Sequence, residues 1–138
     1  IQEEQPRPTM LLSFNEPDSA KQSNVPVEKA IEAWPNLEAI GVPLVSPSCV
    51  NAGGKWMESF MEQVQEKRLR VNAIGVHSYG GSGVAAFQRK LQSLYEKFQR
   101  PLLVTEFAVA DWKALTPDQN RYAPKVVLAF MKAVLPWM

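Results

Sequence analysis

The sequence has little of several features that would assign a function directly. Its one cysteine, Cys49, excludes an internal disulfide and is typical of a small buried apolar residue. Its one histidine, His77, has no second imidazole with which to build a zinc site, so we expect a hydrogen-bonded strand-end histidine. No apolar run approaches the ~20 residues of a membrane-spanning helix, and no charged-then-apolar leader opens the sequence at Ile1. The residues alone leave the compartment open.

The charge balance does not point to a partner. The chain has 15 lysines and arginines against 14 aspartates and glutamates, a formal net charge of +1. This balance gives no electrostatic reason to expect nucleic acid or anionic lipid. An apolar content of 46% is ordinary for a soluble globular protein, and 138 residues are one domain's worth of chain or less. We therefore expect one domain over residues 1–138.

Strand-like and helix-like segments alternate along the chain. Strands are predicted at residues 9–14, 43–48, 71–79 and 102–108, and the first, nearly all apolar, is expected to be covered on both faces. Each strand is followed by a predicted helix. The first helix has Pro26 in its first turn, a cap at Ser23 or Asn24, and an end or bend at Pro35. The second is marked by Trp56, Phe60 and Val64, the third by Val84, Phe87, Leu91, Leu94 and Phe98, and the fourth runs from Thr116 towards Val134 with a kink near Pro124. This order predicts an α/β fold of parallel strands with right-handed crossovers, either a doubly wound sheet or part of a (β/α)8 barrel.

Two of the predicted strands deliver a glutamate at the C-terminal end. Glu16 follows the apolar run that begins at Leu11, and Pro17 after it lacks a backbone N–H and is expected to push Glu16 toward an extended backbone. Glu106 follows Leu103 and Val104 in the same way. A single glutamate at a strand end is usually a solvated loop residue, but the matching context of the two favours a shared role.

Catalytic residues of parallel barrels lie at the C-terminal ends of strands, and those ends carry further polar and aromatic side chains here. They are Asn15, Ser48, His77 and Tyr79, with Trp112 in the loop after the last strand. Glycoside hydrolysis uses one carboxylic acid to protonate the departing oxygen and one carboxylate to attack the anomeric carbon or activate water. Aromatic rings supply apolar platforms for sugar rings. This combination favours sugar chemistry.

Other conspicuous residues have simpler interpretations. Trp34 and Trp56 occur at helix-core spacings and are predicted to pack, whereas Trp112 is the better candidate for sugar contact. Asp18 and Asp111 are predicted to cap loops. The GGSG segment at residues 80–83 lacks the spacing and the lysine of a phosphate loop, so it is interpreted as a strand-to-helix turn.

Five motifs in this order resemble the glycosyl hydrolase catalytic-core proteins of glycoside hydrolase family 128, which are fungal and bacterial endo-β-1,3-glucanases: LLSFNEPD, QSN, LVSPS, IGVHSYG and PLLVTEFAVADW. The resemblance covers nearly the whole chain. It implies a retaining mechanism, with Glu16 as acid/base on barrel strand four and Glu106 as nucleophile on strand seven. It implies substrate binding by Asn15 at the sugar 2-hydroxyl, by His77 and Tyr79 beside the cleaved bond, and by Trp112. No cofactor or metal ion is expected.

The resemblance also implies a half-barrel. With Glu16 on strand four and Glu106 on strand seven, the chain is a (β/α)4 half of a TIM-type (β/α)8 barrel, and its two outer strands are unpaired edges, which are prone to association. Two copies are therefore expected to close as a homodimer, or else the half-barrel is a non-catalytic β-glucan-binding module that uses Trp112, Tyr79 and Trp56. An α/β scaffold with no role in sugar chemistry is the third alternative. The resemblance implies a secreted or cell-wall-associated location.

Overall fold

The computed structural model describes residues 8–138, in which four strands alternate with four α-helices. A single 3-10 turn at Pro117–Gln119 precedes the last helix. The remaining bounds are β1 Leu11–Leu12, α1 Val27–Glu38, β2 Leu44–Val45, α2 Lys55–Glu66, β3 Ile74–Gly80, α3 Val84–Phe98, β4 Leu102–Val109 and α4 Pro124–Val134. The predicted alternation of strands and helices is confirmed. No helix in this part of the chain is both long enough and apolar enough to cross a bilayer.

The four strands are parallel and follow one another in chain order. Hydrogen-bonded ladders pair β1 with β2 and β3 with β4. Single parallel bridges, Val45 to Ala73 and Cys49 to Val76, join the β2 segment to the β3 segment. Because parallel strands run in the same direction, all four carboxyl ends meet at one edge of the sheet. The predicted site residues lie at or next to these carboxyl ends.

The core lies between the sheet and the helices, and two tryptophans are part of it. Trp34 of α1 is fully buried, and its ring packs edge-on against Phe60 of α2 at 5.0 Å between centroids. Trp56 stacks on the same phenylalanine at 5.5 Å. Their indole N–H groups donate to the backbone carbonyls of Arg70 and Val25, both at 2.9 Å. The predicted packing role of both tryptophans is confirmed.

Cys49 also has the predicted role. Its side chain is fully buried at the bridge to Val76. Burial, reinforced by the negative charges of Asp18 and Glu16, raises the pKa of the thiol far above its ordinary value. The thiol therefore stays protonated and behaves as a small apolar group.

The first strand is shorter and more exposed than predicted. Regular pairing covers only Leu11–Leu12, and 52% of Leu12 is exposed. In the part of the chain that the structure describes, β1 pairs only with β2, so its outer edge has no neighbour. The apolar run of residues 9–14 therefore reflects an edge strand, and the expectation that both faces are covered was wrong for these residues.

Three details of the helices also differ from the prediction. No side-chain cap precedes α1, because the Ser23 hydroxyl donates to the Asn15 carbonyl oxygen instead. The helix continues through Pro35, since Trp34 is anchored in the core and the Ala39 N–H donates to the Pro35 carbonyl at 3.0 Å. The last helix is not kinked at Pro124 but begins there, where proline's missing N–H has no helical partner to lose.

Candidate active site

The backbone around Glu16 extends the pairing of β1 and β2 up to the site. Asn15 and Ser48 form a parallel bridge, and the Glu16 N–H donates to the Ser48 carbonyl at 2.8 Å. Glu16 itself has φ +43°, in the left-handed region and not extended as predicted. Pro17 disfavours the right-handed helical region, but the hydrogen bonds to both sides of Glu16, including Ser19 N–H to the Glu16 carbonyl at 3.1 Å, select the left-handed turn.

Asp18 and Asp111 hold the loops that surround the site. The Asp18 carboxylate accepts the backbone N–H groups of Val50 and Asn51 at 2.8 and 2.9 Å. Asp111 accepts the N–H of Arg121 at 3.0 Å, and this bond is the main reason that its pKa is lowered. The predicted loop-capping role of both aspartates is confirmed.

An irregularity in β4 brings Glu106 to the site. Val76 lies opposite Val104, but His77 lies opposite Glu106, so Thr105 is one extra residue on β4. Residues directly opposite each other on neighbouring strands point to the same face of the sheet. The bulge therefore places the Glu106 side chain on the same face as His77, in the way that bulges re-aim side chains beside active sites.

His77 lies between the two glutamates. Its Nδ1 shares a hydrogen bond of 2.8 Å with Glu16 Oε1 and lies 3.5 Å from Glu106 Oε2. Only 2% of the His77 side chain is exposed, against 12% for Glu16 and 43% for Glu106. One ligand-type atom from each residue lies within 4.8 Å of the other two. The predicted convergence of the two carboxyls is thus present, with an imidazole joining them.

These three side chains are also the group, among residues 8–138, whose donor atoms could bind a cation. A histidine nitrogen with two carboxylates suits first-row divalent metals. Here the Nδ1 atom of His77 already forms a hydrogen bond of 2.8 Å with the Glu16 carboxyl. The arrangement is that of a hydrogen-bonded acid–base cluster.

Tyr79 holds the second glutamate. Its hydroxyl donates to Glu106 Oε2 at 2.7 Å, and this hydrogen bond is the main cause of the raised pKa of the Tyr79 phenol. The Tyr79 ring meets the Trp112 ring edge-on at 6.0 Å between centroids. Trp112 is 76% exposed, so its face is open to a ligand beside the carboxyls. The pair forms an aromatic wall next to Glu106.

These residues line one open cleft with a volume of about 590 Å³. Six residues that the resemblance assigned to catalysis or substrate binding contribute to its walls: Asn15, Glu16, His77, Tyr79, Glu106 and Trp112. Trp56, which the binding-module alternative included, is not among them, because it stacks on Phe60 in the core. Ser48, also placed at a strand end by the sequence, is absent from this lining. It borders a neighbouring cavity of about 240 Å³, where its hydroxyl lies 3.2 Å from that of Thr105.

Sequence reasoning missed three residues of the cleft: Gln22, Val50 and Lys90. Gln22 and Val50 lie in loops, and although Gln22 opens the QSN motif, nothing in that motif assigned the residue a role. Lys90 did carry one, because it falls three residues after Phe87 and four before Leu94, on the face of α3 that is otherwise buried. A charged residue on an apolar helix face is the kind of break in a pattern that marks a site.

Comparison with known proteins shows the family of the chain. The protein-family model described as "Glycosyl hydrolase catalytic core" matches residues 1–138, the entire chain. The chain belongs to the glycosyl hydrolase catalytic core family. A search of curated proteins finds no match.

Solved structures similar to this glycosyl hydrolase catalytic core chain belong to glycoside hydrolase family 128, which confirms the resemblance noted in the sequence. A subgroup I endo-β-1,3-glucanase variant from Amycolatopsis mediterranei, in complex with laminarihexaose, shares 34% identity and a TM-score of 0.83 over 94% of this chain and 57% of its own. A curdlan-specific subgroup III exo-β-1,3-glucanase from Blastomyces gilchristii shares 30% identity and a TM-score of 0.71, over 94% and 56%. A subgroup V exo-β-1,3-glucanase from Cryptococcus neoformans shares 25% identity and a TM-score of 0.79, over 96% and 52%. The chain therefore spans a little more than half the length of each of these structures.

Proposed function

We propose that the protein is a retaining glycoside hydrolase that cleaves β-1,3-glucan, with Glu106 as nucleophile and Glu16 as acid/base. The observation that carries the proposal is the separation of the carboxyls, whose nearest oxygens lie within 4.8 Å. Retaining enzymes hold their carboxyls about 5–5.5 Å apart, whereas inverting enzymes need about 6.5–9.5 Å to admit a water molecule. An oxygen-to-oxygen distance of no more than 4.8 Å is closer to the retaining spacing than to the inverting one, which supports direct attack by one carboxylate.

In the first step, Glu106 attacks the anomeric carbon while the bond to the leaving oxygen breaks and Glu16 gives that oxygen a proton. In the second, Glu16 takes a proton from water, and the water oxygen displaces Glu106. The hydrogen bonds of the cluster fit these roles. Tyr79 holds Glu106 Oε2 and His77 holds Glu16 Oε1, which leaves the other oxygen of each carboxyl for the substrate.

The choice of β-1,3-glucan rests on the similar structures, whose ligands include laminarihexaose and laminaritriose. In the proposed complex, Asn15 binds the 2-hydroxyl of the sugar next to the cleaved bond. Trp112 and Tyr79 provide the apolar wall against which a glucose ring packs. A location outside the cell or at the cell wall goes with this substrate.

The proposal is tested with laminarihexaose and the purified protein, following fresh products by proton NMR. We expect shorter laminari-oligosaccharides whose new reducing end appears first as the β anomer, since two displacements restore the starting configuration. The α anomer as the first product would indicate inversion. If the sugar binds with no product, and Glu106→Gln leaves that binding unchanged, the protein is the β-glucan-binding module that the exposed Trp112 would also suit.

We propose further that the chain is the (β/α)4 half of the barrel, corresponding to strands four to seven, and that a second copy covers its open edges. Neither β1 nor β4 has a second strand partner among the described residues, and the outer side of β4 borders an apolar groove of about 440 Å³ that contains Trp137. Two copies would supply eight strands, β4 of one beside β1 of its partner. Light scattering after size exclusion should give twice the 15.5 kDa chain mass. A monomer at all concentrations tested would contradict this pairing.

A further inference from the structure

Lys90 is a partly buried cation in the wall of the cleft. It lies on α3 between Phe87 and Leu94, both of which are buried. None of the ion pairs found in residues 8–138 includes it. Burial lowers the pKa of its ammonium group. Lysines in such positions are uncommon unless they are paired, so this one calls for a physical reason.

The one hydrogen bond found for the Lys90 side chain within residues 8–138 is to the backbone of His77, the central residue of the site. Lys90 Nζ donates to the His77 carbonyl oxygen at 2.9 Å. Lys90 also lines two cavities at once, the cleft with Glu16 and Glu106 and a smaller one of about 160 Å³ beside Phe130. Lys90 therefore borders both the cleft and the smaller cavity.

The direction of the His77 carbonyl follows from the alternation of β3. The Ile74 N–H faces β4 and donates to the Pro101 carbonyl at 2.8 Å, whereas the Gly75 N–H faces the opposite way, to Ser46 Oγ at 3.0 Å on the β2 side. Backbone groups of successive strand residues point to opposite sides. The carbonyl of His77, two residues after Gly75, therefore faces the β2 side.

On that side the neighbouring strand has already turned away. The last bridge between the two segments is Cys49 to Val76. The next two backbone N–H groups, of Val50 and Asn51, donate to the Asp18 carboxylate and are not available to β3. A buried carbonyl without a donor is costly, and Lys90 Nζ supplies the donor that the strand does not.

We propose that Lys90 is a positioning residue, which fixes the backbone of β3 at His77 and thereby the imidazole that joins the two glutamates. The side chain of His77 leaves the same backbone unit whose carbonyl Lys90 holds, so a loss of that bond lets the ring move. Its Nδ1 must stay 2.8 Å from Glu16 Oε1 and 3.5 Å from Glu106 Oε2 to keep the cluster together. Lys90 is also the only lysine or arginine among the residues that line the cleft.

The first test measures the NMR signals of the His77 ring in 15N-labelled protein and does not depend on activity. These signals are unambiguous because His77 is the only histidine of the chain. We expect Lys90→Met to shift the His77 ring nitrogens and to speed exchange of the ring N–H proton with water at least about tenfold. Lys90→Arg, which keeps a long cationic donor, should restore the wild-type spectrum. Lys97→Met is the matched control, since Lys97 lies on the same helix and pairs with Glu58 away from the cleft.

An unchanged His77 spectrum in Lys90→Met would overturn the proposal, as would an equal change in Lys97→Met. If Lys90→Met does not fold, Lys90→Gln is measured in its place by the same criterion, since a shorter neutral amide cannot supply the same bond. Failure of Lys90→Arg to restore the spectrum would also contradict a role that rests on the donated bond.

The second test rests on the proposed function. In Lys90→Met we expect kcat on laminarihexaose to fall roughly 10- to 100-fold with KM changed less than about twofold, because a misplaced catalytic group slows the chemical step more than binding. Equal kcat in variant and wild type would contradict the proposal. A wild-type protein with no hydrolysis would refute the proposed function alone, and the spectrum of His77 would still decide the role of Lys90.

Discussion

Glu106→Gln is expected to lower kcat/KM on laminari-oligosaccharides by about 10⁴-fold, the scale of loss when one member of a catalytic unit is removed. The amide has nearly the same shape as the carboxylate but carries no negative charge, so it cannot attack the anomeric carbon. Its carbonyl oxygen can still accept the Tyr79 hydroxyl that now meets Oε2 at 2.7 Å. The variant should therefore fold and bind sugar, which calorimetry with laminarihexaose measures beside the kinetics.

The matched control is Glu62→Gln. Glu62 is an exposed residue of α2 outside the cleft, so the same chemical change there should leave kcat/KM at the wild-type value. Loss of less than about tenfold in Glu106→Gln would contradict the role of nucleophile, given that covalent attack has no substitute elsewhere in the cluster.

Added azide, as an alternative nucleophile, distinguishes the roles of Glu16 and Glu106. With an activated aryl glucoside, Glu106→Ala should yield the α-glucosyl azide, because azide then attacks the sugar directly in one displacement. Glu16→Ala should yield the β-glucosyl azide, because the Glu106 ester still forms and azide displaces it. The opposite result would exchange the two roles, and the absence of azide products from both variants would argue against double displacement.

Trp34→Ala is expected to lower the free energy of unfolding by about 3–5 kcal/mol, the range for deleting a large buried aromatic side chain. Trp34 is fully buried against Phe60, and its indole N–H donates a hydrogen bond of 2.9 Å to the Arg70 carbonyl. The substitution would therefore also leave that carbonyl without its donor. Typical domains have only about 5–15 kcal/mol of stability in all, so this loss is a large share. Urea unfolding followed by circular dichroism measures it.

Trp112→Ala is the matched control for the tryptophans. Because Trp112 is 76% exposed, its removal should change the free energy of unfolding by less than about 0.5 kcal/mol. It should nevertheless weaken binding of laminari-oligosaccharides roughly two- to tenfold, the loss of one aromatic contact with a sugar. If Trp34→Ala unfolded at the wild-type urea concentration, the packing role of the tryptophan would be wrong.

Much of the site could be predicted because its signals are local. An apolar run that stops at Asn15 and Glu16 marks a strand end, and the same pattern ends at Glu106. Parallel strands then place both ends at one edge, whatever the details of pairing. The spacings that placed Trp34 in the core are equally local.

What could not be predicted depends on pairing between segments. The extra residue in β4, Thr105, is defined only by its register against β3, and it decides which face Glu106 points to. The left-handed backbone of Glu16 depends on the hydrogen bond that its N–H donates to the Ser48 carbonyl and on the one that its carbonyl accepts from the Ser19 N–H. Only Ser19 is close to Glu16 in sequence. The use of Lys90 depends on where the β2 chain turns away. Single-sequence periodicity records none of these.

The left-handed turn at Glu16 sets the proposed chemistry against thermal robustness. A residue with a β-carbon at φ +43° lowers the free energy of unfolding by about 1–2 kcal/mol relative to glycine, because the β-carbon is crowded in the left-handed region. Glycine at position 16 would remove this strain, but it would also remove the proposed proton donor and the carboxylate that meets His77 Nδ1 at 2.8 Å. The backbone strain is therefore tied to the one side chain at this position that both joins the cluster and supplies a proton.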